Sequence, residues 1–167
     1  MKKIICLLVP LILLCSCGKK SEVKPILTGI SFEAEIVYYN ENYSCQCDIS
    51  GEGVLTAKIT EPEILKDFTL RVSKDTITAD YLGITYTPTE NNMPFSGVVD
   101  SFYKAIGECV ERELTATFSN NQYTVKGDKE SLGYTLYLSP TGLPQKLLLP
   151  DESFSVNFYN VTIEKGK

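Results

Sequence analysis

Histidine is missing from all 167 residues. Its absence removes the commonest general base near neutral pH, the commonest metal ligand and every serine–histidine or cysteine–histidine nucleophile. Zinc hydrolases and deaminases that hold their metal through imidazole are excluded with them. Tryptophan is missing too, so ten tyrosines and seven phenylalanines supply all the aromatic surface. Rings in this number read mainly as core and sheet-edge residues. Basic residues are few, with 16 Lys and Arg against 21 Asp and Glu and no cluster among them. An acidic chain of this kind argues against nucleic acid as a partner and against electrostatic binding to anionic lipid. No apolar run reaches the roughly 20 residues that a spanning helix needs.

What is present begins with a leader. Lys2 and Lys3 precede an apolar run from Ile4 to Leu14, interrupted by Pro10, and small residues follow. A positive start, a short apolar run and small residues before a cut form a secretory signal peptide. Leu14-Cys15-Ser16-Cys17 resembles the bacterial lipobox. That resemblance implies cleavage after Ser16, a diacylglyceryl thioether on Cys17 and a fatty acyl group such as palmitate on the new amino terminus. One chain binds membranes reversibly, at about 0.8 kcal/mol per methylene. Two or three chains on one residue hold a protein there. The expected organisation is a signal peptide over 1–16, a lipidated cysteine and polar tether over 17–29, and one domain over 30–167. The expected location is the extracytoplasmic face of the cell membrane. Loss of the leader takes the net charge from −5 to −7.

With Cys17 lipidated, Cys45, Cys47 and Cys109 remain. Cys45 and Cys47 stand two apart in a strand-like stretch and share a face, with Cα atoms about 7 Å apart. That spacing is at the edge of disulfide geometry. A bridge from one of them to Cys109 is open to an exported protein, and a thiolate metal site or redox pair is another reading. No fourth soft ligand is evident. The three therefore read as small apolar core residues, with no metal and no cofactor expected.

Beyond the tether, period-two alternation dominates, the signature of half-buried strands. Ile30, Phe32, Ala34, Ile36 and Tyr38 share one face, and Asn40-Glu41-Asn42 reads as a turn. Tyr43 to Ile49 and Leu55 to Ile59 follow, and Pro62 stops the latter. Phe68 to Val72, Thr76 to Leu82 and Ile84 to Tyr86 complete an antiparallel meander. Between Ser96 and Cys109, Val98, Phe102, Ala105, Ile106 and Cys109 recur at helical spacing, with Ser96 as a cap. Strands resume over Leu114–Phe118, Tyr123–Lys126, Tyr134–Leu138, Leu147–Leu149 and Phe154–Phe158. The expected fold is mainly β (α+β), a curved antiparallel sheet or half-barrel of about eleven strands with one amphipathic helix in mid-chain.

The order of these elements resembles the LolA/LolB-like lipoprotein-carrier fold. The opening strand Ser31-Phe32-Glu33-Ala34-Glu35-Ile36 matches, as does Ala57-Lys58-Ile59-Thr60-Glu61-Pro62 before a short connection. Leu82-Gly83-Ile84-Thr85-Tyr86 with a helix after Pro94 also matches, as do Gly142-Leu143-Pro144 and the closing Phe158-Tyr159-Asn160. The resemblance implies a half-barrel whose helix covers an apolar concave face, and a protein that handles lipids. Here a helix that usually opens the domain is absent, and only the tether precedes the first strand.

Catalytic patterns are incomplete. Ser101-Phe102-Tyr103-Lys104 fits S-x-x-K, and Ser119-Asn120-Asn121 resembles the second element of penicillin-binding enzymes, but K-T-G is missing. Glu33/Glu35 and Asp151/Glu152 read as the wet face of a sheet and a turn rather than glycosidase pairs. The expected function is therefore not enzymatic. It is a membrane-anchored lipoprotein that binds an apolar ligand, a lipid or an acylated protein, in a cavity lined by Phe32, Ile36, Leu55, Ile59, Phe68, Leu70, Phe102 and Ile106. The alternative is a tethered scaffold with a filled core, partner to an envelope enzyme. Of Tyr38-Tyr39, adjacent on a strand, one ring should be exposed or line a groove.

Overall fold

The computed structural model describes residues 20–74, 76–87, 96–111, 115–127 and 133–164. The signal peptide expected over 1–16, Cys17, Leu114 and most of the loop after Gly127 lie outside them. The strands are β1 (Lys20–Glu22), β2 (Ile30–Tyr38), β3 (Glu41–Ile49), β4 (Leu55–Glu61), β5 (Thr69–Val72), β6 (Ile77–Tyr81) and β7 (Ile84–Tyr86). After helix α1 (Ser96–Glu111) come β8 (Thr115–Ser119), β9 (Gln122–Lys126), β10 (Thr135–Leu138), β11 (Pro144–Leu149) and β12 (Phe154–Ile163). All twelve join one curved, open, antiparallel sheet in the order β1-β8-β9-β10-β11-β12-β2-β3-β4-β5-β6-β7. Two meanders, β2–β7 and β8–β12, thus meet where the last strand pairs with the second, Phe154 opposite Tyr38 and Ile163 opposite Ile30. Among the described residues no helix is long and apolar enough to cross a membrane.

Alternation builds the sheet because one face is buried and the other wet. Ile30, Phe32 and Ala34 point inward on β2, and Glu33 and Glu35 point outward. The outer face is polar: Tyr159 donates to Glu35 at 2.9 Å, Asn160 to Glu33 at 2.9 Å, and Lys58 pairs with Asp67 at 2.7 Å. α1 lies on the inner face with Phe102, Ala105, Ile106 and Cys109 turned to the sheet. On the β8–β12 half, Leu136, Leu147 and Val156 form a rung of neighbours at 0 % exposure.

Two expectations are corrected. The first turn is Tyr39-Asn40, not Asn40-Glu41-Asn42: Tyr38 pairs with Glu41, and both turn residues have positive φ, 45° and 70°. That is the conformation of a two-residue hairpin whose twist matches its strands. Leu82-Gly83 and Asn120-Asn121 adopt it too, so Leu82 is a turn residue rather than the end of β6.

The tether expected over 17–29 is folded in from Lys20. β1 extends the sheet beyond β8, with Lys20, Ser21 and Glu22 opposite Thr117, Ala116 and Thr115, which supplies the twelfth strand. From there the chain crosses the end of the sheet to β2. Val23 and Ile26 pack on the core, Leu27 is fully buried, and the Ile26 N–H donates to the Gly142 carbonyl at 2.9 Å. Gly142 has φ +86°, and a Cβ there would stand 2.8 Å from the Lys24 carbonyl oxygen. Gly142→Ala is therefore expected to cost about 1–3 kcal/mol through backbone strain and loss of this strap, read as a lower urea midpoint at unchanged slope.

Candidate functional site: an apolar cavity over the β2–β5 half

The β2–β5 half of the inner face is hollow. A cavity of about 290 Å³ lies there, between the inner face of β2–β5 and the rings of Phe102 and Phe154. It is about twice the size of an engineered apolar cavity of ~150 Å³ that admits benzene, and lies at the lower end of the range for small-molecule sites, about 300–1,000 Å³. The filled interior required by the scaffold alternative is not what this half of the sheet has.

Cross-strand register explains the void. Ala34 stands opposite Cys45, and Cys47 opposite Ala57. These four small side chains form the floor, and large ones surround them. Phe32 flanks Cys47, Leu70 flanks Ala57 and Ile59 flanks Cys45. Leu65, at the end of the single helical turn Glu63–Leu65, and Phe68, just beyond it, close one end together with Tyr38 and Tyr43. Phe102 completes the wall from the helix, its ring centre 6.0 Å from that of Phe154 and 6.5 Å from that of Phe158. Among the described residues, no carboxylate, ammonium, guanidinium or amide side chain lines the cavity.

Of the expected lining residues, Phe32, Ile36, Leu55, Ile59, Phe68, Leu70 and Phe102 stand on the wall. Ile106 does not. It is buried one turn along α1 from Phe102. Sequence reasoning missed the floor, Ala34, Cys45, Cys47 and Ala57, and the rim tyrosines Tyr38 and Tyr43. Alternation puts all six on the inner face, so the signal was there. Of the tyrosine pair, Tyr38 lines the cavity and Tyr39 is 61 % exposed, with their rings edge to face at 4.7 Å.

Among the described residues, Cys45, Cys47 and Cys109 are unbridged. Cys45 and Cys47 hydrogen-bond to each other on the cavity floor, and the bond that Cys45 takes from Cys47 holds its thiol below the usual range. Cys47 is pushed well up, because its proton is committed to Cys45 and burial disfavours a second charge. Cys109 is apart from them, in the closed core, donating to the Tyr134 hydroxyl at 3.2 Å. Burial outweighs that bond and pushes its pKa from 9.0 to about 11. The fold thus favours the neutral thiol of Cys109. Its contribution is complete below about pH 9 and is lost as pH rises towards about 11. Wild type is expected to lose about 2 kcal/mol relative to Cys109→Ala between pH 8 and pH 11, measured as the difference between their urea unfolding free energies.

The catalytic patterns have structural explanations. Asn120 and Asn121 are the positive-φ pair of the β8–β9 hairpin, a conformation that asparagine tolerates. Lys104 lies on the exposed side of α1. Glu33 and Glu35 are the outer-face acceptors described above, and Asp151 sits exposed in the turn Pro150–Glu152. Among the described residues, no group of three or more Cys, Asp or Glu converges on a common point.

No family model matches the chain, and no curated protein does. Among solved structures, the fold is similar to that of a LolA superfamily protein from Nitrosomonas europaea, at 9 % identity and a TM-score of 0.38, covering 83 % of this chain and 86 % of that one. It is also similar to a DUF1329 family protein from Desulfovibrio piger, at 9 % identity and a TM-score of 0.41, with the same coverage of each chain.

Proposed function

We propose that this protein is a lipid-anchored, extracytoplasmic binder of an apolar ligand, a lipid acyl chain or the acyl group of a modified protein, and that it is not an enzyme. The cavity is the observation that carries this reading. Its walls present hydrocarbon, aromatic rings, two tyrosines and two thiols, and no group that would fix a charged or sugar-like substrate. Such a site binds by burial, at about 25 cal/mol per Å² of apolar surface, and needs no chemistry. The anchor proposed on Cys17 suits the short reach of the chain. Three residue steps separate Cys17 from the start of β1, at most about 11 Å when fully extended. The domain would then be held close to the bilayer from which its ligand comes.

The test is native mass spectrometry of residues 18–167, which include every described element, purified from cells without detergent. Added mass that leaves as lipid or acyl species is the expected result. An unliganded mass that persists after incubation with phospholipid and acylated peptide would overturn the reading.

A further inference from the structure

The apolar-ligand reading leaves one feature of the cavity unused. A floor meant only to be hollow needs small side chains, and alanine at 34 and 57 already serves. Positions 45 and 47 carry thiols instead, both facing the void and two residues apart on β3. We propose that Cys45 and Cys47 form a two-thiol site, opening on the cavity, for a soft monovalent cation of the Cu(I) class.

Ligand type and ligand number support this. Thiol sulfur selects soft metals, whereas magnesium and calcium need oxygen, and the wall offers no carboxylate. Structural zinc and iron–sulfur clusters take four ligands. Here, among the described residues, only two sulfurs face the cavity, and Cys109 bonds to Tyr134 in the core. The d¹⁰ monovalent coinage ions are satisfied by two sulfurs in a line. Strand geometry favours the same choice. Side chains two apart on a strand stand side by side, their Cα atoms about 6.7 Å apart. That is at the limit for a direct S–S bond, but it leaves room for one ion between the sulfurs. The register holds both in place, since each has a partner on both neighbouring strands: Ala34 and Ile59 for Cys45, Phe32 and Ala57 for Cys47.

The test uses Ag(I), the redox-inert member of the class, on the full chain in mild detergent with Cys6, Cys15 and Cys17 replaced by serine. One ion per chain is expected by native mass spectrometry. Cys45→Ala and Cys47→Ala should each weaken retention by about 100-fold or more, and Cys109→Ala should not. A measurement that needs no variant of the site accompanies it. Titrated Ag(I) should raise a sulfur-to-silver charge-transfer absorption in the ultraviolet that saturates at one equivalent. Retention indifferent to both substitutions, no ion retained, or an absorption that does not saturate at one equivalent would each overturn the site. Acyl-ligand uptake is read separately, so failure here leaves the apolar-ligand reading standing, and the reverse also holds.

Discussion

Leu147→Ala is expected to cost about 3–4 kcal/mol of unfolding free energy, and Leu70→Ala about 1 kcal/mol. The two are the same substitution on the same face of one sheet. Leu147 lies at 0 % exposure in the rung Leu136–Leu147–Val156. Truncation there loses the transfer free energy of the removed carbons and leaves a hole that the rigid rung cannot close, and such losses run from about 2 to 5 kcal/mol. Leu70 is only partly buried and already faces a void. Its atoms lack partners on one side, so there is less dispersion to lose. Urea unfolding of both variants measures the contrast. Equal costs would mean that the β2–β5 half is as tightly packed as the other.

Ala57→Phe should abolish ligand uptake while leaving stability within about 1 kcal/mol of wild type. A phenyl ring at 57 rises from the middle of the floor, beside Cys47 and Leu70, into space that is empty. Overpacking penalties of about 1–3 kcal/mol arise in filled cores, and here the ring meets a void. A ligand loses that space. Exclusion of about four methylenes at about 0.8 kcal/mol each is about 3 kcal/mol, or about 100-fold in affinity. The readout is lipid retained through purification and uptake of a fluorescent fatty acid. Undiminished uptake with an intact fold would place the ligand elsewhere.

The two predictions mark what the sequence made legible. Alternation names the inner-face residues of each strand, so the wall from Phe32 to Leu70 could be read directly. It does not say which residue sits opposite which. The hollow exists because Ala34 meets Cys45 and Cys47 meets Ala57, and that depends on where the hairpin turns. The turn lies at Tyr39-Asn40, a placement that requires a bulky tyrosine at positive φ, against its usual preference. Ile106 shows the same limit in the helix. Spacing fixes which side of α1 it occupies, but not which part of the sheet lies beneath it. β1 was illegible for another reason. Lys-Ser-Glu has no apolar period, and the strand is held by backbone pairing with β8, to which composition gives no clue.

The seam between β12 and β2 also governs how the molecule comes together. Its pairs join residues as distant as Ile163 and Ile30, and it runs through the middle of the sheet rather than along an edge. Sequence-distant pairings are closed against a large loss of chain entropy, and domains dominated by them fold in milliseconds to seconds. Until the final ten residues of β12 are in place, neither meander has its central neighbour. A chain emerging amino terminus first therefore stays open along its middle until nearly all of it has emerged. The wall of the cavity, to which β12 brings Phe154 and Val156, is finished only when that strand arrives.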